Sequence, residues 1–485
     1  MSAATDRYEM VVGLEVHVQL KTRTKAFCSC SAEYGAPPNV NTCPVCLALP
    51  GTLPALNENA VHLAVRAALA LGCTVNERSV FARKNYFYPD LPKGFQISQY
   101  DRPLAEHGRL VIGGADGREL AVGITRLHME EDSGKSVHDR FPGITAIDLN
   151  RAGVPLVEIV SEPDLRSAKD AASYLRALKW ILEANEVSDV SMEEGSLRVD
   201  ANVSARPRGA AALGTKTEIK NMNSFSAVER ALELEFARHC AAYEAGGTIH
   251  QQTMLWDGAK GEVRPARSKE GSHDYRYFPE PDLPPLVLAR DVIERVRGEV
   301  KESPWARRAR FIAEHGLAPA DADALVAGFA LGEYFEQVAR LHGDAKSAAN
   351  WVVNDLVAWC NANGVEFRDC KVAPASLAAL LDLIRDGVVS HTAAKKVLPL
   401  MAATGDAPRA IAEREGLVQE RDAGALERWV DEVLAENPAE AARFVGGEGK
   451  LQGVLVGLVM KKSKGRADPK QVNQLLASRA RRSGS

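Results

Sequence analysis

Cysteine is scarce, with eight in 485 residues, too few for a disulfide-stapled scaffold. Long apolar runs are also missing. The cleanest, Leu451–Met460, contains Gln452 and two glycines and falls well short of the roughly 20 residues that span a bilayer. The start, Met1-Ser-Ala-Ala-Thr-Asp-Arg7, has no apolar signal-peptide region. Neither sign of charge dominates: 60 Lys plus Arg against 64 Asp plus Glu leave −4. That excludes a uniformly basic coat but not a local basic patch. Gly and Pro show no three-residue period, so collagen is out. With 46% apolar and 26% charged residues, the chain is of ordinary globular composition and not disordered as a whole. The expectation is a soluble, cytoplasmic protein with no membrane segment and, at roughly 150 residues each, about three domains.

Composition shifts twice. Residues 1–290 hold most of the Gly and Pro and nearly all strand-like alternation, whereas residues 295–405 are rich in Ala, Leu and Arg at helical spacing. The Pro-rich stretch Phe278–Pro285 precedes the first shift. It cannot be a helix interior or a central strand and reads as an extended connector. Boundaries near 293/294 and 406/407 follow. The last part divides by charge: residues 407–449 carry net −5 and residues 450–485 net +8. Within it, Leu426, Trp429, Val430, Val433 and Leu434 recur at helical spacing, and Asn437-Pro438 stops that helix. Two further helices are marked by their caps: Asn57 before Val61 and Val65, and Ser167 with Asp170 before Tyr174 and Leu178.

The strands carry more information. In Tyr8–Leu20, apolar residues alternate with Glu15, His17 and Gln19, so these three share the face opposite the core. By the same alternation Arg126, His128 and Glu130 share a face, as do Arg198, Asp200, Asn202 and Ser204, and Lys216, Glu218 and Lys220. Glu158 sits inside the apolar run Val154–Val160. Half-polar strands predict an antiparallel sheet with one face on the core. For any single strand the other face is simply wet. Together, the faces collect Glu, His, Asp, Asn and Arg, a set that can hold a hard cation such as Mg²⁺.

Cys28-Ser-Cys30 and Cys43-Pro-Val-Cys46 form two close pairs, a spacing that can converge on a tetrahedral, structural Zn²⁺. Reduced core cysteines and a Cys-x-x-Cys redox pair are the competing readings. Clustering within 19 residues argues against the first, and Pro44 and Pro50 against the second. Nucleotide-loop motifs are missing. Ser133-Gly-Lys-Ser136 resembles the end of a P-loop, but Met129 occupies the position of its first glycine. No Gly-x-Ser-x-Gly elbow and no amidase-type Ser/Gly-rich nucleophile loop is present. The loop Tyr86–Tyr100, dense in aromatics with Lys93 at its turn, reads equally as a self-packed surface loop or as a cleft lining that offers Lys93 to a phosphate. Arg267–Glu270 and Asp274–Asp282 could likewise contact a nucleotide or serve as a connector. The basic end, with Lys461, Lys462, Lys464 and Arg466, suits a phosphate backbone, against the plainer reading of a solvated tail.

These blocks, namely Val12–His17, Cys28–Cys46, Tyr86–Tyr100, His128–Lys135, Asp148–Val160, Ser196–Val203, Glu218–Phe225, Asp274–Asp282 and Leu455–Asn473, closely resemble the B subunit of glutamyl/aspartyl-tRNA amidotransferases over nearly the whole chain. The resemblance implies an α+β architecture. An N-terminal cradle domain (1–293) would have an antiparallel sheet similar to glutamine synthetase. An all-α domain (294–406) and a small helical tail that contacts tRNA (407–485) would follow. It implies a complex with the amidase (A) and small (C) subunits of the same enzyme, and it admits a non-discriminating aminoacyl-tRNA synthetase as a further partner. ATP would phosphorylate the misacylated Glu or Asp side chain on tRNA, and ammonia released from glutamine by the amidase would displace the phosphate. By that resemblance Glu15, His17 and Glu130 look like the Mg²⁺ site, with Glu158 and Asp200 as weaker additions. Lys93 and Arg198 are the expected phosphate contacts, Tyr86 and Tyr88 the expected substrate or ATP contacts, and the four clustered cysteines the Zn²⁺ ligands. Ala48 departs from the pattern, since the family often has Gly there, and His391–Lys396 is a loose version of a family segment. The archaeal E-type relative carries an inserted domain for which this length leaves no obvious room. A role restricted to tRNA binding conflicts with the metal-ligand faces, and an amidase acting alone conflicts with the missing nucleophile loop.

Overall fold

The computed structural model describes residues 5–266, 275–419, 422–463 and 465–483. Arg267–Glu270, Asp274 and Lys464 therefore lie outside the described residues. The chain is a mixed α+β protein of two compact units, Met1–Ala306 and Arg307–Ser485. The helix Arg290–Arg297, which the composition boundary at 293/294 cuts, packs on the helix Glu58–Ala70 in the first unit.

The first unit is built on a nine-stranded sheet. Its order is Glu262–Pro265, Thr253–Asp257, Thr217–Met222, Leu197–Pro207, Tyr8–Gln19, Pro155–Ser161, Glu119–Glu131, Ala105–Gly113 and Thr74–Val75. All neighbours are antiparallel except Thr217–Met222 with Thr253–Asp257. The strand Tyr8–Gln19 lies in the middle because β-branched residues alternate along it. Val12, Leu14, Val16 and Val18 are buried on the side where the helices Glu58–Ala70, Ala168–Ala184 and Phe225–Glu244 pack. Asn57 caps the first helix by accepting from Ala60 N (3.2 Å). Ser167 caps the second by accepting from Asp170 N (3.0 Å), but the Asp170 carboxylate receives the Ser167 hydroxyl and the Ala115 N–H instead of completing a capping box.

The polar face is not simply wet. The hairpin Ala82–Asn85/Phe95–Ser98 crosses the strand Glu119–Glu131 on that side. Gln96 Nε2 donates to Glu131 O (2.6 Å) and Met129 N donates to Gln99 Oε1 (3.0 Å). Covering makes His128, Glu130 and Glu158 buried.

The second unit is helical. One apolar core gathers Phe311, Phe335, Trp351, Leu377 and Val397. A separate core gathers Leu426, Val430, Val433, Leu455, Val459 and Leu476. The helix expected around Leu426 runs from Ala423 to Glu436, with Asp422 as its cap and Pro438 opening the next helix.

Candidate active site

Strand register assembles the site. Arg198, His17, Glu158 and His128 stand side by side across four strands. Glu15 stands opposite Asp200, and Asn202 opposite Glu218. In antiparallel pairs, directly opposed residues share a face, so side chains up to 200 positions apart meet on one surface.

Two sets of donors emerge. In the first, His17 Nδ1 lies 3.2 Å from Glu130 Oε1 and 3.9 Å from Glu158 Oε2, and His128 Nε2 lies 3.2 Å from Glu158 Oε2. Burial works against the His17 imidazolium, but the Glu130 carboxylate, followed by Glu158 and Asp200, outweighs it and lifts the pKa to about 9. Burial likewise opposes the carboxylates, yet His17 holds Glu130, and His128 holds Glu158, below the usual range. In the second set are Glu15, Asp200 and Glu218. The Lys220 ammonium bonds Asp200 and lies 2.9 Å from Glu218, while Asn202 Nδ2 donates to Glu15 Oε1 (3.0 Å). Burial first, then Glu158 and Glu218, pushes the Glu15 pKa up. Glu15, expected beside His17 as a ligand, thus groups with Asp200 and Glu218 instead.

Both sets fit a hard cation. Within each, one donor atom per residue lies within 4.8 Å of the others. His17 Nδ1, buried, points among two carboxylates. One imidazole with carboxylate oxygens suits a divalent ion that also keeps water or phosphate ligands.

A cavity of about 300 Å³ opens over this face, lined on its far side by Lys84, Tyr100, Tyr275 and Tyr277. Tyr100 and Tyr277 stack at 4.2 Å, and Lys84 Nζ sits 4.9 Å above the Tyr275 ring. Burial works against the Lys84 charge, but Glu130 and Glu158 keep its pKa raised. Sequence reasoning missed His128, Glu218 and Lys220 as site residues although it placed them on polar strand faces. It had no signal for Lys84, which the covering hairpin brings in, and it left Tyr275 and Tyr277, within Asp274–Asp282, open between a nucleotide contact and a connector.

The remaining expected residues are dispersed. Arg198 stands in the row beside His17 and donates to Asp132 Oδ2 (2.6 Å). Tyr86 meets Tyr275 edge-on at 6.1 Å. Tyr88 lines a shallow outer cavity with Phe87. Lys93 is paired with Glu131 and lines a neighbouring cavity of about 250 Å³ shared with Arg83, Cys28 and Cys46.

The cysteines converge. Cys46 Sγ lies 3.7, 3.8 and 3.9 Å from the sulfurs of Cys28, Cys43 and Cys30. These are not disulfides, whose sulfurs are about 2.05 Å apart. A tetrahedron with bonds of about 2.3 Å to a central Zn²⁺ has edges of about 3.8 Å, so the donors fit that ion. The Cys28 thiol, and then the Lys25 ammonium, buried at 0% exposure and 3.4 Å away, hold the Cys46 pKa down at about 4. Ala48, with φ +54°, sits in the left-handed region, where glycine is least strained.

At the basic end, Lys462 is 2.9 Å from Glu432 and also pairs with Glu436, and Arg479 pairs with Asp431. Arg466 lies over the Trp429 ring. Lys461 is exposed.

Residues 10–294 match the model of the GatB/GatE catalytic domain, and residues 333–479 that of the GatB domain. The aspartyl/glutamyl-tRNA(Asn/Gln) amidotransferase B subunit of Carboxydothermus hydrogenoformans is 51% identical over 472 residues, covering 97% of this chain and 98% of that protein. Its counterpart in Geobacter sulfurreducens is 51% identical with the same coverage. That of Thermosynechococcus vestitus is 51% identical over 99% of this chain and 98% of its own. The chain belongs to the family of aspartyl/glutamyl-tRNA(Asn/Gln) amidotransferase B subunits.

Proposed function

We propose that this chain is the phosphorylating and amide-forming component in the ATP-dependent conversion of misacylated Glu-tRNA(Gln), Asp-tRNA(Asn) or both to Gln-tRNA(Gln) and Asn-tRNA(Asn). The observation that carries the reading is the acidic sheet face with its two donor sets. Binding alone needs no such set. A carboxylate is a poor acyl donor, so an oxygen of the Glu or Asp side chain attacks the γ-phosphorus of ATP and ADP departs. Ammonia then attacks the acyl carbon, the C–O bond to phosphate breaks, and one N–H proton passes to a base. Phosphoryl transfer is mainly a matter of positioning and charge. His17, Glu130 and Glu158, with Glu15, Asp200 and Glu218 beside them, would hold Mg²⁺, whose chemistry is to neutralise phosphate oxygens. Lys84 and Lys220 supply cations in the cavity. Arg198 and Lys93, each paired with a carboxylate of the Glu130–Asp132 run, are assigned to the phosphates as well. Tyr86 and Tyr88 belong to the substrate side.

In this reading the four cysteines hold a structural Zn²⁺, and the fold of the sheet is of glutamine-synthetase type. The chain works in the cytoplasm with an amidase partner that supplies ammonia and a small third partner. A non-discriminating synthetase hands over the charged tRNA. The two separate apolar cores after residue 306 support a helical part followed by a tail, but Ile411 and Ala412 belong to the first core, so the divide falls beyond the 406/407 boundary expected from composition. Lys461, Lys462, Lys464 and Arg466 of that tail face tRNA.

The test is the reconstituted complex supplied with ATP, glutamine and each misacylated tRNA. Amidated product should form from at least one of them. Glu15→Gln should abolish tRNA-dependent ATP cleavage while glutamine hydrolysis persists. Normal acyl phosphorylation by that variant would sink the assignment.

A further inference from the structure

Lys25 is 0% exposed, and lysine is almost never fully buried without a partner of opposite charge. Among the described residues its ammonium pairs with no carboxylate. Nζ instead lies 3.4 Å from Cys46 Sγ and donates to the Leu149 carbonyl (3.1 Å). The backbone around it is held on both sides. Lys25 N donates to Cys30 O (3.0 Å), Ala26 N donates to Gly153 O (2.7 Å), and Asn57 Nδ2 donates to Lys25 O (3.2 Å). A Cβ on Gly153 would lie 3.6 Å from Lys25 Cδ and 3.9 Å from Glu131 Oε2. The lysine stem and the acidic strand thus border the same glycine.

An ammonium in that position needs an anion. Four thiolates around one Zn²⁺ leave two negative charges, and burying them is costly unless a cation offsets them. Neutral thiols would instead leave Lys25 as the uncompensated charge. The same ammonium reaches beyond the cysteine lobe, because the Leu149 carbonyl belongs to a turn that the lobe grips. Asn39 Nδ2 donates to Ile147 O (2.9 Å), and Leu149 N donates to Asn39 Oδ1 (2.7 Å). The far end of that turn holds the acidic run: Gly153 N donates to Asp132 O (2.9 Å) and Asp132 N to Val154 O (2.8 Å). The Asp132 carboxylate in turn receives Arg198 (2.6 Å). We infer that Lys25 is a positioning residue that offsets the Zn²⁺ tetrathiolate from inside the fold and ties it to the turn 147–154, which holds Asp132. The metal lobe is then part of the frame of the acidic face. This inference rests on the zinc assignment in the proposed function.

The experiment follows zinc release from the assembled complex to a chelator. Wild type is compared with Lys25→Met, an unbranched neutral side chain, and with Lys25→Gln, which keeps an N–H donor without the charge. Both variants should release zinc about tenfold or more faster, the usual cost of losing a group that supports a metal ligand. Protease protection of the lobe separates charge from packing. With zinc bound, the neutral variants should lose protection. With zinc stripped, they should match or exceed wild type, whose ammonium then lacks its anion. Chelation of wild type alone should raise hydrogen exchange at Asp132 and Gly153. The thermal midpoint reports folding, and Lys25→Gln stands alone if Lys25→Met does not fold. Release at the wild-type rate by a folded neutral variant, or equal loss of protection with and without zinc, overturns the counter-charge. Unchanged exchange at Asp132 and Gly153 overturns the tie to the turn. A wild-type complex that holds no zinc overturns the zinc assignment instead, so the two failures are distinct.

Discussion

The acidic sheet face and the basic end of the chain are both charge signals, and the fold treats them in opposite ways. On the face, Glu15, Glu130, Glu158, Asp200 and Glu218 crowd together, buried or half-buried, with His17, Lys84 and Lys220 as cations among them. At the basic end, Lys462 and Arg479 fold back onto Glu432, Glu436 and Asp431 of the preceding acidic helix, in water. Like charges held together without full compensation cost stability and persist where a ligand supplies what is missing. Opposite charges paired on a surface contribute about 0–1 kcal/mol each and compete with any phosphate that approaches.

The largest effect should therefore come from the face. His17→Ala or Glu158→Gln in the complex should lower tRNA-dependent ATP cleavage by about 100-fold or more, as expected when a group that positions charge for phosphoryl transfer is lost. The steady-state rate with misacylated tRNA measures it. A change under about threefold would place the chemistry elsewhere.

Next comes the cysteine lobe, where four donors come from one short segment. Cys43→Ser should lose the metal that elemental analysis finds at about one Zn per wild-type chain. Its lobe should open to protease, since such an ion contributes on the order of 10 kcal/mol to local folding. Undiminished zinc in the variant would refute the site.

A third test lies beneath the face. Glu235 is buried under the strand that carries Glu218. Burial opposes its charge, but hydrogen bonds from His239, Arg238 and Thr217 outweigh it and hold its pKa near 2. A folded pKa below the unfolded 4.5 stabilises above about pH 4.5, and the stability is lost as pH falls toward 2. Glu235→Gln should cost on the order of 2 kcal/mol at pH 7, read from urea midpoints. The gap from wild type should narrow as pH falls below about 4.5 and close only near pH 2. A gap independent of pH would show that charge is not its source.

Ala48→Gly relieves a left-handed alanine and should raise the stability of the cysteine lobe by about 1 kcal/mol. Protease protection of the lobe would register the difference. The smallest effect belongs to the basic end. Lys461→Ala should flatten the salt dependence of tRNA binding by about 0.7–0.9 in slope. Lys462→Ala, whose ammonium is already paired, should flatten it less. Equal slopes would mean that the Glu432 and Glu436 pairs do not compete with tRNA.

Period-2 and period-3.6 patterns already specified much of this molecule. The central strand, the helices capped by Asn57 and Ser167 and the helix around Leu426 were all legible, because each depends on residues a few positions apart. The cysteine cluster was legible for the same reason, since its four donors lie within 19 residues. Alternation also placed Glu15, His17, Glu130, Asp200 and Glu218 on polar faces. Only the tertiary structure decided which of them meet. Strand order and register joined His17 to Glu158 and Glu130 and sent Glu15 to Asp200 and Glu218. The crossing hairpin buried the face and set Lys84 over it, and the same packing moved Lys93 into a neighbouring cavity. The acidic helix, folded against the basic end, claimed Lys462. The physical reason is range: periodicity fixes the direction in which a side chain leaves the backbone, whereas the partner it meets depends on chain segments up to 200 residues away, brought close by the burial of the common core.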